Sequence, residues 1–131
     1  MKVMIDTCVW SAVLRRRKPD PDMTARVADL ISDGRAVLIG PILQELLSGV
    51  RDANQFASLK KHLAPFEDVH LERRHFENAA EFANTCRSHG IQGSTIDFLI
   101  CAVAHLEGFQ ILTTDADFER FARHLPITLH V

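Results

Sequence analysis

Cysteine is scarce in this chain, and its spacing is wrong for cross-linking or for zinc. The three residues, Cys8, Cys86 and Cys101, are odd in number and form no C-x-x-C pair. That pattern excludes a disulfide framework and a cysteine zinc site. Long apolar runs are missing too, so no membrane-spanning segment is expected. The opening Met1-Lys2-Val3-Met4-Ile5-Asp6 is too short and too soon charged for a signal peptide, and the expected location is cytoplasmic. Strong net charge is also lacking. With 17 acids against 15 Lys plus Arg the balance is -2, which excludes a broadly basic nucleic-acid coat but not a local basic patch. Repeats, low-complexity tracts and clear linkers are not found. The one polar break, Arg15-Arg16-Arg17-Lys18-Pro19-Asp20-Pro21-Asp22, reads as a surface loop or helix connection.

What is present is an apolar-rich chain of 131 residues, 47% hydrophobic, long enough for a single domain, 1–131, with a real core. Its apolar runs alternate in type. Val3 to Ile5 is a short strand, and a helix follows from about Cys8. Met23 to Asp33 has helical spacing through Val27, Leu30 and Ile31. Ala36 to Ile39 is a second strand. Gly40-Pro41 opens a helix ending near Gly49, with proline suited to the first helical position. Asp52 to His62 is helical. Glu72 to Arg87 is a longer helix with Phe76, Ala79, Ala80 and Ala83 along one face and Gly90 as its stop. Ser94 to Glu107, the strand Phe109 to Leu112, the helix Asp115 to Arg123 and a last strand, Ile127 to Val131, complete the chain. Strands alternating with helices imply a mostly parallel sheet covered on both faces, a three-layer α/β/α domain.

In such sheets, sites form beyond the carboxyl ends of the strands. Asp6 follows the first run directly. Glu45 lies one turn into the helix after the second. Asp115 and Asp117 come just after the Phe109–Leu112 run. Asp97 is the most informative acid, because it is the only charged side chain between Ile96 and Ala104. A helix apolar on every side is a buried one, and an acid there is costly unless it is paired, capped or bound to a metal. Plainer readings stand beside each. Ser94-Thr95-Ile96-Asp97 can be a capping box, although Glu or Gln is the preferred residue at its last position. Asp6, Asp115 and Asp117 can be helix caps, and Glu45, which borders an apolar stripe, can be a solvated helix acid.

If these carboxylates converge, their charges conflict. Two like charges ~5 Å apart cost roughly 3 kcal/mol at an effective dielectric near 20, equivalent to about two pKa units for one of them. No basic residue is close in sequence to neutralise the group. Oxygen donors without Cys or His favour Mg²⁺ or Mn²⁺ over Zn²⁺. Hydrated ions held this way suit phosphodiester hydrolysis. The seven histidines show no metal-ligand spacing, and His105 reads as a helix-end residue.

Together the motifs resemble the PIN-domain nucleases, and within them the VapC-type toxins of bacterial toxin–antitoxin pairs. The resemblance spans nearly the whole chain. It rests on Ile5-Asp6-Thr7, Gln44-Glu45-Leu46-Leu47-Ser48-Gly49, Ser94-Thr95-Ile96-Asp97-Phe98-Leu99-Ile100 and Leu112-Thr113-Thr114-Asp115-Ala116-Asp117-Phe118, in that order. It implies an acidic metal site of Asp6, Glu45, Asp97 and Asp115, with Asp6 and Asp97 as direct Mg²⁺ ligands and Asp117 as a further candidate. Thr7, Ser94 and Thr113 would orient ligands or water. The implied activity is Mg²⁺-dependent endonucleolytic cleavage of RNA by an activated water. The implied partners are a cognate VapB-type antitoxin, in a toxin–antitoxin hetero-oligomer, and a second copy in a homodimer. Arg15, Arg16, Arg17, Lys18 and Arg51 are candidates for a basic RNA rim. Trp10 is expected in the core or at a dimer interface rather than stacked on a base.

Two other classes remain open. One is a non-catalytic binding module that keeps the PIN fold and acts through a protein partner. The other is a Mg²⁺-dependent phosphohydrolase with Asp6 as nucleophile, disfavoured because the position two residues on is Cys8 rather than an acid. The cysteines are expected to be buried, weakly reactive thiols.

Overall fold

The computed structural model describes residues 1–14 and 18–131. Strand β1 (Val3–Ile5) is apolar and buried on both faces, as a central strand of a parallel sheet must be. Its chain turns at once into α1 (Thr7–Leu14), whose first amides, from Val9 and Trp10, donate to the carbonyl of Asp6. Next comes α2 (Pro21–Ser32), started by the Asp20 side chain, which accepts from the amides of Asp22 and Met23, and by a proline in its first turn. Val27 and Leu30 face inward, but Ile31 is exposed. Gly34, at φ 67, makes the reversal into β2 (Ala36–Leu38). Helix α3 (Gly40–Ser48) has Pro41 in its first turn, and α4 (Ala53–Leu63) is capped by Asp52.

A strand that the sequence did not announce, β3 (Glu67–Asp68), joins the edge of the sheet beside β2. Two residues carry no readable periodicity. After it come α5 (Arg73–Ser88), α6 (Thr95–Glu107), β4 (Gln110–Leu112) and α7 (Asp117–Ala122). The expected last strand over 127–131 contributes one parallel bridge, Ile111 to Leu129, rather than a ladder. The expected helix start at Asp115 moves to Asp117, because residues 113–116 form a turn closed by side-chain hydrogen bonds.

The face of α5 is also rotated from its expected position. Its buried residues are His75, Ala79, Phe82 and Cys86, whereas Phe76 is 52% exposed and Ala80 lies on the surface. His75 goes inside because both ring nitrogens are satisfied there. Nδ1 accepts from the Glu72 amide at 2.9 Å, which leaves Nε2 to donate to Glu107 at 2.8 Å. Reading by apolarity alone puts the phenyl ring in and the imidazole out.

The sheet order is β3-β2-β1-β4, with every pairing parallel. From β1 the chain steps outward to β2 and β3, then returns to the far side of β1 as β4. Right-handed crossovers therefore place the α1–α4 connections on one face and α5 and α6 on the other, giving three layers. Trp10, Ile42, Leu46, Ile100, Phe118 and Phe121 are among the largest fully buried side chains. The reversal lies between β1 and β4. That is the switch point, where open parallel sheets place ligands beyond the carboxyl ends of the strands.

Candidate active site

Asp6 leaves the end of β1 at this switch point and is 7% exposed. Its Oδ1 accepts from the amide of Thr7 at 2.8 Å. Its Oδ2 accepts from the hydroxyl of Thr113 at 2.8 Å and from the thiol of Cys8 at 3.3 Å. A helix-capping side chain reaches the second or third amide of its helix. The Asp6 carboxylate reaches only the first, and is otherwise held by the segment after β4. Three donors on one buried carboxylate fix its direction.

Asp115 follows β4 by a Thr-Thr step. Its amide donates to Thr113 Oγ1 at 3.0 Å, and its Oδ1 accepts from the Asp117 amide at 2.9 Å. Thr113 thus ties Asp6 to the Asp115 turn. Glu45, on the exposed side of α3, is reached from the other direction, since the hydroxyl of Thr7 donates to its Oε2 at 2.8 Å.

Asp97 sits in the first turn of α6, half-buried. The capping box is real. Ser94 Oγ accepts from the Asp97 amide, and Asp97 Oδ2 accepts from the Ser94 amide, both at 3.1 Å. These bonds and the helix dipole favour the carboxylate. They do not win. Burial pushes the Asp97 carboxyl above its ordinary value, and the negative charges of Asp6 and Asp115 push it further up. The capping box is therefore present together with a smaller electrostatic influence of Asp6 and Asp115 on Asp97.

Asp117 turns elsewhere. Its Oδ1 forms an ion pair with Arg120 at 2.9 Å, one helical turn along α7. Arg51 and Lys18 are exposed, while Arg15, Arg16 and Arg17 lie outside the described residues. Trp10 is buried edge-on against Phe66, with ring centroids 5.2 Å apart, so it offers no stacking face. His105 is exposed in the last turn of α6.

Cysteine reasoning holds for Cys86 and Cys101, which are buried and whose thiols burial pushes up, Cys101 further because of the Asp97 charge. It fails for Cys8. That thiol is half-buried inside the acid cluster, donating to Asp6 and accepting from Thr114 Oγ1 at 3.3 Å. The signal was its place, two residues beyond an acid at a strand end.

Among the described residues no three His, Cys, Asp or Glu side chains stand close enough to enclose an ion as they are placed. The donor chemistry nonetheless fits Mg²⁺ or Mn²⁺. These ions keep several waters and take only one or two protein carboxylates. Asp6 and Asp97 are carboxylates of this kind, and neither has Lys or Arg among its hydrogen-bond partners given above.

The sequence profile of the family described as PIN domain matches residues 3–124. The chain is 30% identical over 125 residues to the VapC ribonuclease Mb1587 of Mycobacterium bovis, covering 92% of each protein. It matches Ribonuclease VapC11 of Mycobacterium tuberculosis to the same extent. Among solved structures, VapBC2 from Rickettsia felis bound to a promoter DNA fragment superposes with a TM-score of 0.81 at 18% identity, covering 99% of this chain and 98% of that one. FitAcB from Neisseria gonorrhoeae superposes with a TM-score of 0.78 at 18% identity, covering 98% and 96%. Among the described residues no helix is long and apolar enough to cross a membrane.

Proposed function

Since the chain belongs to the PIN domain family, we propose that it is a Mg²⁺-dependent endoribonuclease, the toxin of a VapBC-type pair, restrained by a VapB-type antitoxin. The observation that carries this reading is that acids from separate elements are tied together at the switch point of a parallel sheet, Asp6 to the Asp115 turn through Thr113 and Asp6 to Glu45 through Thr7. The capping box at Ser94 needs an acceptor but not a charge, so an acid at position 97 serves a cation site as well as the cap. Relatives named as ribonucleases support the reaction class, and neighbours solved as VapBC complexes support the partner.

Asp6 and Asp97 would hold the ion, with Asp115 tied to Asp6 through Thr113. A bound divalent cation supplies the positive charge that acidifies an attacking water and neutralises the phosphate. The residues around it supply direction. The Thr7 amide, the Thr113 hydroxyl and the Cys8 thiol fix Asp6. Ser94 fixes Asp97, and the turn at Thr113 fixes Asp115. Lys18 and Arg51 are exposed cations available to RNA phosphates. The oligomer proposed is a homodimer joined to antitoxin.

The test is expression of the Asp97→Asn protein without antitoxin, beside wild type. The wild-type protein arrests growth and cleaves RNA with Mg²⁺ or Mn²⁺, and the variant does neither. Arrest and cleavage by the variant would refute the assigned chemistry. A wild-type protein that cleaves no RNA in a broad panel with any divalent ion, yet binds its antitoxin, would instead be the non-catalytic module.

A further inference from the structure

An acidic site repels the strand it would cut. Every nucleotide brings a negative phosphate, and an ion held by carboxylates offsets the repulsion only close to itself. The nucleotides beside the cleaved bond need cations of their own.

One corner of the molecule next to the acids is kept clear of negative charge. The chain has 17 Asp plus Glu, yet none falls in residues 82–96 or 120–131, where the Lys and Arg residues are Arg87, Arg120 and Arg123. The fold brings these two stretches together. The loop after α5 lies against α7, so closely that a Cβ at Gly93 would stand 2.6 Å from Phe121 Cζ. At its edge His89, at the end of α5, stacks on His124, just past α7, with ring centroids 3.9 Å apart and planes at 25°. Arg87, His89, Arg123 and His124 are all exposed.

The corner adjoins the acids along both stretches. The first runs on into Ser94 and Asp97. The second begins with α7, which starts two residues after Asp115 and is six residues, about 9 Å, long. Helix capping accounts for part of the arrangement. His89 Nδ1 donates to the Thr85 carbonyl at 2.9 Å, as a basic residue at a helix C-terminus does. That contact needs no second imidazole, and His124 caps nothing in α5. Two flat rings stacked at the surface, with exposed guanidinium groups on the same two stretches, are the parts of a single-strand site, where bases stack on rings and cations follow the phosphates.

We propose that Arg87, His89, Arg123 and His124 seat the unpaired RNA that flanks the cleaved bond, the arginines meeting phosphates and the imidazole pair stacking with a base. This rests on the ribonuclease reading and names its substrate class as single-stranded RNA.

The experiment is fluorescence anisotropy in EDTA, where no cleavage occurs. The probe is a labelled, mixed-sequence RNA strand of about 20 nucleotides, free or annealed to its complement. The wild-type protein is expected to bind the single strand more tightly than the duplex. Arg87→Gln/Arg123→Gln should weaken single-strand binding about 10–30-fold at about 0.1 M salt, and flatten the slope of log affinity against log salt by about 1.4, the value for two phosphate contacts. His89→Ala/His124→Ala should weaken it about 5–100-fold with the slope retained, while His124→Phe, which keeps a flat ring, stays within about threefold of wild type. Wild-type affinity in both double variants, equal losses on single strand and duplex, or a His124→Phe protein as weak as the double alanine variant would each overturn the proposal. So would a double alanine variant that melts at a lower temperature yet binds as wild type, which would make the stack a clasp between α5 and α7. A wild-type protein that cleaves RNA while every variant binds as it does removes the proposal and leaves the nuclease reading. The expected binding losses in a protein that cleaves nothing with Mn²⁺ remove the nuclease reading and keep the RNA seat.

Discussion

Asparagine at position 97 should make the metal-free protein more stable while removing its response to metal. Because burial and two negative neighbours raise the Asp97 carboxyl in the folded state, the folded chain holds this proton at a pH where the unfolded chain has released it. The stability it contributes is present below the unfolded value and lost as pH rises through the folded one. Above the raised folded value that contribution is lost, and the ionised carboxylate opposes folding. The repulsion between two unit charges ~6 Å apart at an effective dielectric near 20 is about 2.8 kcal/mol, and solvent around a half-exposed group removes half or more of it. Asparagine also weakens the bond to the Ser94 amide and the dipole contact, together about 0.5–1 kcal/mol. The remainder, roughly 0.5–1 kcal/mol, raises the melting temperature by about 2–5 °C in a domain of this size. The assay is thermal melting at pH 7.5 in EDTA and in excess Mn²⁺. At a hundred times its dissociation constant the ion stabilises the wild-type protein by about 2.7 kcal/mol, so the order of the two melting temperatures should invert. A variant that melts below wild type in EDTA would show that Asp97 acts as a cap. An equal rise for both proteins in Mn²⁺ would show that Asp97 is no ligand.

Other outcomes follow from contacts around the site. A Cβ at Gly93 would stand 2.6 Å from Phe121 Cζ and 3.0 Å from Phe98 Cζ, both buried rings, so Gly93→Ala should lose about 1–3 kcal/mol in urea denaturation; an unchanged midpoint would mean that the rings move freely. Iodoacetamide should label Cys8 in the native protein and spare Cys86 and Cys101, read by peptide mass spectrometry, and labelling of Cys101 without unfolding would contradict its burial. Asp117 is committed to Arg120, so Asp117→Asn should cleave RNA within about threefold of wild type and change stability by about 0.3–0.5 kcal/mol, the worth of an exposed helical pair; a tenfold loss would make it a ligand.

The elements that were legible have strong local causes. Helix α6 was marked at both ends, by Ser94 with Asp97 and by Gly108, which takes φ 74 at its C-terminus. Val3 to Ile5 and Ala36 to Leu38 read as strands because parallel strands are apolar throughout. What escaped depended on distant partners. Strand β3 exists because β2 offers an edge, and the rotation of α5 is set by Glu107, 32 residues beyond His75. Asp6, Asp97 and Asp115 were nameable because each follows a strand or opens a helix, and Glu45 because it borders an apolar stripe one turn into α3. Their supports were less legible, since no local rule says that Thr7 will find Glu45 or that Thr113 will find Asp6.

Topology explains why these acids conflict. Among the described residues the strand order reverses between β1 and β4, with Asp6 directly after β1 and Asp115 shortly after β4, tied together through Thr113. The start of α6 brings Asp97 to both. Its capping box needs an acceptor but not a charge, and an uncharged residue could complete it. The charge therefore has to be explained by something outside the fold, and the melting experiment with and without Mn²⁺ decides whether that is a cation. If added Mn²⁺ leaves the wild-type curve where EDTA left it, the repulsion among Asp6, Asp97 and Asp115 has no cationic counterpart, and the nuclease chemistry loses its physical basis.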